Sequence, residues 1–175
     1  KRFLLPVRPE EHDYLFLATG TGIAPYRGML LQLLEHPDGP CPSQMHLVMG
    51  TPYTTDLLYD DIFRRLESEH ENFQYHTAIS REPRPGTNKG RYVDRLLTED
   101  FDRFGDLLAN PRTLLYICGL EGMQFGVYQL LADQGLAEAY LNVHEELSGI
   151  EPSQWSRQQM KRRIRPSPRC MLEVY

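Results

Sequence analysis

Short, continuously apolar segments alternate with longer amphipathic ones along the chain, and this alternation limits the folds that the chain can adopt. The segments at residues 14–18, 45–49 and 113–118 are each followed by a stretch with helical periodicity, and residues 73–79 form a further candidate strand. Strands that are apolar on both faces are typical of parallel sheets, because helices cover both faces of such sheets. The sequence therefore predicts an α/β fold with a parallel sheet flanked by helices.

The starts of several helices can be predicted from local sequence. Pro25 is well placed in the first turn of the first helix, and Asp56 is a candidate N-cap for the second. We predict one or two helices over residues 92–108 with a break near Thr98, and a helix with a basic face over residues 155–165. Ligands of parallel sheets bind beyond the carboxyl ends of the strands, so the loops that follow the strands are where we expect a site.

Length and composition exclude several classes of protein. The 175 residues suffice for one domain, residues 1–175, and not for two. No apolar segment approaches the roughly 20 residues that cross a bilayer, so we expect no membrane span. The net charge of −5 argues against nucleic-acid binding, and three unevenly spaced cysteines predict neither a disulfide framework nor a metal site. We expect a reducing compartment, either the cytoplasm or a plastid stroma.

The loop at residues 19–25 has the properties of a phosphate-binding turn. Gly20 and Gly22 let a backbone approach a ligand closely, and the N-terminus of the following helix attracts anions. The loop is neither a Walker A motif nor a full Gly-x-Gly-x-x-Gly, because Pro25 stands in the last position. A tight strand-to-helix turn without a ligand has the same sequence character, so the loop alone leaves both interpretations open.

Five motifs that are individually weak follow one another along nearly the whole chain. They are TGTGIAPYR at residues 19–27, GTP at 50–52 with LLY at 57–59, SRE at 80–82, YICGL at 116–120 with GM at 122–123, and LEVY at 172–175. Together they closely resemble the pyridine-nucleotide domain of plant-type ferredoxin–NADP reductases, in which they occur in the same order. Coincidence is a poor explanation for five motifs in register.

The resemblance implies a fold, an activity and a missing domain. The fold is a five-stranded parallel sheet with helices on both faces, the Rossmann-like NADP-binding domain of ferredoxin reductases. The activity is reversible hydride transfer between NADPH and FAD, after which single electrons pass to ferredoxin or flavodoxin. An FAD-binding barrel is expected upstream and is absent from the chain. We therefore expect a fragment that binds nucleotide but oxidises it negligibly alone.

The resemblance also implies which residues form the site. Ser80 and Arg81 are implied to bind the 2′-phosphate of NADP, for which a hydroxyl beside a guanidinium is well suited, and Tyr92 to stack on the adenine. The implied catalytic residues, which surround the reacting rings, are Cys118, Glu173 and Tyr175. The implied cofactor-binding residues are Thr19, Gly20, Thr21, Gly22, Thr51, Pro52, Ser80, Arg81, Lys89, Tyr92, Gly119, Leu120 and Met123.

Two positions depart from the pattern of the family. Gly90 stands where relatives place a basic residue, and Asp94 stands where they place a glutamine. Lys89 or Arg91 is then the cation that replaces the missing one. An anion about 8 Å from the phosphate would cost on the order of 0.5–2 kcal/mol of binding free energy. We therefore predict a preference for NADP that Asp94 weakens.

The stretch before the last strand is strongly basic. A run of cations is usually solvated surface, but it also suits an acidic partner such as ferredoxin or flavodoxin. The cations of this candidate basic face are Lys161, Arg162, Arg163 and Arg165. Residues 137–168 are longer than in most relatives, and the sequence supplies no account of the extra length.

Two alternatives for the function stay open. The same domain occurs inside larger reductases, either diflavin reductases or oxygenase-associated reductases with a fused ferredoxin. The alternative of another class is a non-catalytic nucleotide-sensing module that has lost its flavin partner. Cys118, Glu173 and Tyr175 argue against that module, because a protein that only binds nucleotide needs no groups arranged around a flavin.

Overall fold

A five-stranded sheet lies at the centre of the computed structural model, which describes residues 3–175. The first two residues of the predicted domain, 1–175, lie outside the described residues. The sheet strands are β1 (Asp13–Thr19), β2 (Met45–Thr51), β3 (Phe73–Ile79), β4 (Thr113–Gly119) and β7 (Cys170–Val174), and a separate ribbon contains β5 (Leu141–Val143) and β6 (Ile164–Pro166). The helices are α1 (Ala24–Leu34), α2 (Asp60–Glu69), α3 (Val93–Glu99), α4 (Phe101–Ala109), α5 (Glu121–Asp133), α6 (Ala137–Tyr140) and α7 (Arg157–Arg163). Short 3-10 turns lie at Pro9–Glu11, Gly20–Ile23, Thr54–Asp56, Glu145–Leu147 and Pro152–Gln154.

All five strands of the central sheet run parallel, in the order β3-β2-β1-β4-β7. From β1 the chain adds β2 and β3 on one side, and it then returns to add β4 and β7 on the other. Ala18 of β1 lies opposite Met49 of β2 and Cys118 of β4, so these strands end at one edge. Sheets of this type bind ligands where the strand order reverses, which here is between β1 and β4. The predicted five-stranded parallel α/β fold is confirmed.

Two apolar layers cover the two faces of the sheet, because alternate residues of a strand point to opposite sides. Leu15 and Leu17 of β1 pack in the layer that contains α3, α4 and α5. Tyr14 and Phe16 pack in the layer that contains α1 and α2, where their rings stack with centroids 5.5 Å apart. The Tyr26 hydroxyl in that layer donates to the Leu17 carbonyl at 3.0 Å. Burial on both faces explains why the strands are continuously apolar.

A histidine pair lies among β2, β3 and α4. The rings of His46 and His76 stack with centroids 5.3 Å apart, and one ring N–H donates to the other ring across 3.2 Å between Nδ1 of His46 and Nε2 of His76. Both rings meet the edge of Phe104. Burial lowers the pKa of His46 to about 4, and Arg103 adds to this effect. Burial, followed by His46 and Arg103, lowers the pKa of His76 to about 3, so both rings are neutral at pH 7.

The first two helices begin differently from one another. Pro25 lies in the first turn of α1, as predicted. Asp56 does not cap a helix: it ends a 3-10 turn, and α2 begins only at Asp60. The N–H and hydroxyl of Thr54 both donate to the carboxylate of Glu82, at 2.6 and 2.7 Å, and hold this segment as a turn. The residue before α2, Tyr59, adopts a left-handed φ of 59°, so helix geometry cannot extend back to Asp56.

Helix boundaries further along the chain deviate less from the prediction. The break predicted near Thr98 falls at Asp100, because the Thr98 hydroxyl donates back to the Asp94 carbonyl at 2.8 Å within α3. The helix predicted over residues 155–165 is shorter, since Ser156 caps it and Ile164 begins β6. No helix in the described part of the chain is both long enough and apolar enough to span a membrane.

Residues 137–168, for which the sequence supplied no account, form a small subdomain beside α5. It consists of α6, the antiparallel pair β5 and β6, and α7. Trp155 is buried in the layer that contains α5, and its indole N–H donates to the Ile150 carbonyl at 3.1 Å. Gln129 of α5 donates to the carbonyls of Pro152 and Trp155 at 3.0 and 3.5 Å. The extra length therefore covers α5 and fixes α7 against it.

Candidate functional site

The loops after β1 and β4 are joined where the strand order reverses. Thr19 ends β1, and its Oγ1 accepts a hydrogen bond of 2.7 Å from the backbone N–H of Leu120. Gly119 lies between them with a φ of +136°, and a Cβ at this position would overlap Thr19 Oγ1. Only glycine combines this backbone conformation with so close an approach. The sequence of β4 thus fixes the geometry between Cys118 and Leu120.

The last residue of the chain lies across the glycine-rich turn. The backbone N–H of Tyr175 donates to the Gly119 carbonyl at 3.0 Å, and its carbonyl accepts from the Glu121 N–H at 3.3 Å. The Tyr175 hydroxyl is 2.8 Å from Thr21 Oγ1. Although the backbone is held on both sides, 63% of Tyr175 is exposed. The arrangement presents a flat aromatic ring beside Gly20 and Thr21.

Cys118 lies beneath this ring-bearing edge and is buried, with 5% exposure. It is opposite Glu173 in the register between β4 and β7, and Glu173 itself is exposed. Burial raises the pKa of the Cys118 thiol to about 11, and the nearby Glu173 charge adds to the rise. The thiol is therefore protonated at neutral pH and is a poor nucleophile. Cys118 contributes shape and packing to the edge.

The glycine-rich turn leads directly from β1 into α1. Residues Gly20–Ile23 form a 3-10 turn, in which Gly20 has a φ of +55° and Gly22 is buried against the carbonyl of Cys118. The start of α1 follows with Pro25 in its first turn. A helix N-terminus behind a glycine-rich turn favours a bound anion such as a diphosphate. The predicted residues Thr19, Gly20, Thr21 and Gly22 thus lie together at this edge.

The ends of β2 and β3 form a second part of the site. The N–H of Ser80 donates to the Thr51 carbonyl and that of Arg81 to the Pro52 carbonyl, each at 2.9 Å. Gly90 packs against the carbonyl of Ser80, and a Cβ at Gly90 would overlap it. This backbone therefore leaves no room for a side chain at residue 90.

Cations surround the loop at residues 82–90. Arg84 and Arg95 donate to the carboxylate of Glu99 at 2.6 and 3.0 Å, and these bonds lower the pKa of Glu99 to about 2. Arg91 lies 3.6 Å from the same carboxylate. Lys89 and Arg91 are the two cations predicted to replace the one missing at Gly90. Arg91 is already paired with Glu99, whereas Lys89 forms no ion pair within residues 3–175. Lys89 is the better placed of the two.

A groove of about 410 Å³ lies at the ends of β1 and β4, where the starts of α3, α5 and α7 line it. Two exposed side chains flank it, Tyr92 with 68% and Leu120 with 56% exposure. Exposed tyrosine and leucine side chains are apolar surfaces on which a flat ring system can stack. The residues that line the groove are Thr19, Tyr92, Val93, Asp94, Leu120, Gly122, Met123 and Arg157.

The groove unites four of the predicted cofactor-binding residues, Thr19, Tyr92, Leu120 and Met123. It also contains residues that the sequence analysis did not assign to binding, and Arg157 is the most notable of these because it comes from α7. Ser80 and Arg81 do not line the groove. They lie at the end of β3 and are connected to Tyr92 through Gly90 and Arg91, whose N–H donates to the Ile79 carbonyl at 2.8 Å.

Comparison with known proteins decides which family has this arrangement. Residues 16–129 match the family described as the oxidoreductase NAD-binding domain. The chain belongs to this family. This NAD-binding domain is 34% identical to a ferredoxin–NADP reductase of Picosynechococcus sp., covering 100% of the chain and 40% of that relative. It is 32% identical to the chloroplastic leaf isozyme 2 of the same reductase in Oryza sativa subsp. japonica, covering 89% of the chain and 43% of that relative.

The NAD-binding domain thus spans less than half the length of these relatives. The resemblance inferred from the five motifs is confirmed. Solved structures agree on the fold: a ferredoxin-NADP+ reductase from Plasmodium falciparum with 2'P-AMP matches with a TM-score of 0.70 at 20% identity, over 100% of this chain and 57% of that chain. A second structure of that reductase gives a TM-score of 0.69 at 22% identity, over 100% and 58%. At these identities the likeness concerns the fold alone.

Proposed function

We propose that the chain is the NADP(H)-binding domain of a flavin-dependent oxidoreductase, which transfers hydride between NADPH and FAD and passes single electrons to ferredoxin or flavodoxin. The observation that carries the proposal is the exposed ring of Tyr175, held across the glycine-rich turn beside the buried Cys118. Two flat rings, a flavin and a nicotinamide, are the ligands for which such an edge is suited. The reductases of Picosynechococcus and rice support the same activity.

The adenosine half of the nucleotide fits the groove between Tyr92 and Leu120. Its base would lie between the tyrosine ring and the leucine side chain, which bury its two faces. We assign Ser80 and Arg81 to the 2′-phosphate, because they follow β3 directly, with Arg81 exposed and the half-buried Ser80 hydroxyl held only by a long 3.5 Å bond to the Thr51 carbonyl. Lys89 is the further cation of this end, in place of the one missing at Gly90.

The diphosphate fits the turn between β1 and α1. Gly20, Thr21 and Gly22 supply a close backbone approach at the N-terminus of α1. Thr51 and Pro52 close the neighbouring end of β2, where their carbonyls already accept from the N–H groups of Ser80 and Arg81. The site would therefore extend the nucleotide along one edge of the sheet, with its nicotinamide toward Gly119.

The three catalytic residues act by positioning the rings. When bound, the nicotinamide and the flavin supply the hydride donor and acceptor. Cys118, whose raised pKa keeps it a neutral thiol, packs at the end of β4 without competing as a nucleophile. Tyr175 would cover the surface on which a nicotinamide stacks, and moving its ring aside would break the hydroxyl contacts with Thr21 Oγ1 at 2.8 Å and with the Thr19 carbonyl at 3.5 Å. Glu173, exposed at the same edge, lines the site opposite Cys118.

The upstream FAD-binding domain, the electron acceptor and the location belong to the same proposal. The two reductases match all or most of this chain and are more than twice as long as it is. Their additional length leaves room for the FAD-binding domain. For an acidic acceptor, Lys161 and Arg163 already pair with Glu121 and Glu146 at 2.8 Å, so Arg162 is the main cation left for contact. A cytoplasmic or stromal location fits the cyanobacterial and chloroplastic relatives. The same domain inside a larger reductase remains the alternative.

Calorimetric titration of the chain with NADP+ and with NAD+ tests the nucleotide assignment. We expect NADP+ to bind more tightly, and Arg81→Gln to weaken NADP+ about ten- to hundredfold while NAD+ is unaffected. Arg95→Gln is the matched control, because it removes a nearby cation that pairs with Glu99. A chain that binds neither NADP+ nor NAD+ would refute the proposal.

A second experiment separates the reductase from a nucleotide sensor. The chain alone should not oxidise NADPH, whereas the protein with its upstream segment should bind FAD and reduce ferredoxin with NADPH. An upstream segment that binds no flavin, together with nucleotide binding by this chain, would favour the non-catalytic sensor instead.

A further inference from the structure

Arg157 lines the groove between Tyr92 and Leu120, although it belongs to a helix distant from both in sequence. It is the first residue of α7, and its side chain is exposed. Arg157 is not included in the candidate basic face predicted from the sequence, whose cations suit either solvated surface or an acidic protein. The groove offers Arg157 a different partner, because a dinucleotide carries phosphates.

Three of the neighbouring cations of α7 and β6 are engaged elsewhere, whereas Arg162 is not paired with any carboxylate in the described part of the chain. Lys161 pairs with Glu121 at the start of α5, and Arg163 pairs with Glu146, each at 2.8 Å. Arg165 donates to the Lys161 carbonyl at 2.8 Å. These contacts fix α7 beside α5 and separate Arg157 from the rest of the basic stretch.

The backbone that carries Arg157 is held firmly. Ser156 caps α7 by accepting from the Gln159 N–H at 3.2 Å, while the Gln159 side chain accepts from the Ser156 N–H at 2.9 Å. Gln129 of α5 binds the carbonyl of Trp155, two residues before Arg157. Over residues 3–175, no ion pair joins Arg157 to a carboxylate. The groove is thus lined by an exposed guanidinium whose backbone is fixed and whose charge is available to a ligand.

A carboxylate lines the same groove. Asp94, near the start of α3, packs against Gly126 of α5, where a Cβ would come within 2.7 Å of Asp94 Cγ and Oδ2. Gly126 therefore provides the space in which this carboxylate lies. Without a nearby cation, Asp94 would repel every phosphate that enters the groove. Arg157 is the cation that lines the groove with it.

We propose that Arg157 is an additional nucleotide-binding residue, whose guanidinium donates to a phosphate of the dinucleotide and offsets the charge of Asp94. This inference rests on the proposed nucleotide-binding function. It explains how a chain with Gly90 and Asp94 at two binding positions retains affinity for a phosphorylated ligand. An arginine suits this role because its planar fork of donors matches a phosphate.

Titration of variants with NADP+ and NAD+ tests the inference. Arg157→Ala should weaken NADP+ about ten- to hundredfold, the range for a charge-assisted hydrogen bond. Arg157→Lys should lie between wild type and Arg157→Ala, because lysine keeps the charge and loses the fork. The matched control is Arg8→Ala, which removes an exposed cation paired with Glu11 beside the opposite edge of the sheet. Thermal melting of each variant checks that it is folded.

A double-mutant cycle then tests the link to Asp94. Asp94→Asn should restore part of the affinity lost in Arg157→Ala, and should raise the affinity less when Arg157 is present. If Arg157→Ala loses affinity for NADP+ alone, Arg157 binds the 2′-phosphate. If it loses affinity equally for NAD+, Arg157 binds the diphosphate. Both results support the inference. Equal affinities of Arg157→Ala and Arg8→Ala for both nucleotides overturn it while the proposed function stands, whereas a wild type that binds neither nucleotide overturns both.

Discussion

The two ends of the candidate site are built in contrasting ways. At the end formed by β1, β4 and β7, backbone hydrogen bonds and close packing fix Thr19, Gly119 and Tyr175. At the end formed by β3 and the loop at residues 82–90, exposed charges dominate, and Glu99 holds the loop through Arg84. The end formed by β1, β4 and β7, which we propose orients the reacting rings, is therefore fixed by its backbone. The end formed by β3 and the loop, which we propose recognises the adenosine phosphate, can accept changes of charged residues without loss of the fold.

Gly119→Ala should break the rigid end and have the largest effect. The methyl group would overlap Thr19 Oγ1, and alanine disfavours a φ of +136°. We expect the free energy of unfolding to fall by about 2–4 kcal/mol. Chemical denaturation measures this change. The control is Gly122→Ala, where a Cβ meets nothing within 4 Å, and an equal loss in both variants would contradict the explanation.

Acid should destabilise the sheet beneath the charged end through the histidine pair. Because burial lowers the pKa of His46 to about 4, its contribution to stability is present above the ordinary pKa of 6.5 and is lost as pH falls from 6.5 through about 4. The loss is on the order of 2 kcal/mol. Denaturation curves across this pH range measure it, and His46→Gln should flatten the slope.

Arg103→Gln separates the two causes of this shift. Burial ranks ahead of the Arg103 charge, so most of the acid slope should persist in this variant. A slope that vanishes with Arg103 would show that charge rather than burial governs the pair.

The rigid end should respond to alkali instead. Because the Cys118 pKa is raised from 9.0 to about 11, the contribution of this thiol to the stability of the fold is lost as pH rises through that interval.

Tyr175→Ser in the full-length enzyme should sharpen the contrast at the level of binding. Removal of the ring leaves the stacking surface to the nicotinamide, which should tighten NAD(H) binding by about 1–2 kcal/mol, on the scale of aromatic stacking on bases. The preference for NADP over NAD should fall, because the adenosine end then contributes a smaller share of the total binding free energy. Tyr175→Phe keeps the ring and loses only the hydroxyl contacts, with Thr21 Oγ1 at 2.8 Å and with the Thr19 carbonyl at 3.5 Å. Unchanged dissociation constants for both cofactors would contradict the competition between rings.

Glu99→Gln should have the smallest effect, although it removes the anchor of three arginines. Exposed ion pairs contribute little, so the free energy of unfolding should fall by less than about 1 kcal/mol. Hydrogen exchange should nevertheless quicken in residues 82–90, because Arg84 loses its 2.6 Å partner. A loss as large as that of Gly119→Ala would mean that the charged end is as rigid as the other.

The fold was largely predictable because burial on both faces leaves a direct trace in the sequence. Residues 14–18 and 113–118 fall inside β1 and β4, and the bounds of β3 are those predicted. Local sequence failed where distant residues decide the backbone. The residues near Asp56 do not predict that Glu82 binds Thr54, or that Tyr59 adopts a left-handed backbone conformation before α2.

The candidate site was predictable in part for the same reason. Thr19, Tyr92, Leu120 and Met123 lie at the end of a strand or at the start of a helix, and the groove unites them. Arg157 has no such signal, because it reaches the groove only through the packing of α7 against α5. Its place depends on Gln129, Ser156 and other contacts that no spacing in the sequence predicts.

The anchoring of Tyr175 determines how its ring can leave. Because Gly119 and Glu121 hold the backbone of Tyr175 from both sides, the side chain is the part that can move, and its hydroxyl is restrained by Thr21 Oγ1 at 2.8 Å and by the Thr19 carbonyl at 3.5 Å. Exposed side chains change rotamer within picoseconds to nanoseconds, far faster than a typical enzyme turnover. In the proposed function, displacement of this ring would therefore affect the affinity for nicotinamide and would not limit the rate of turnover.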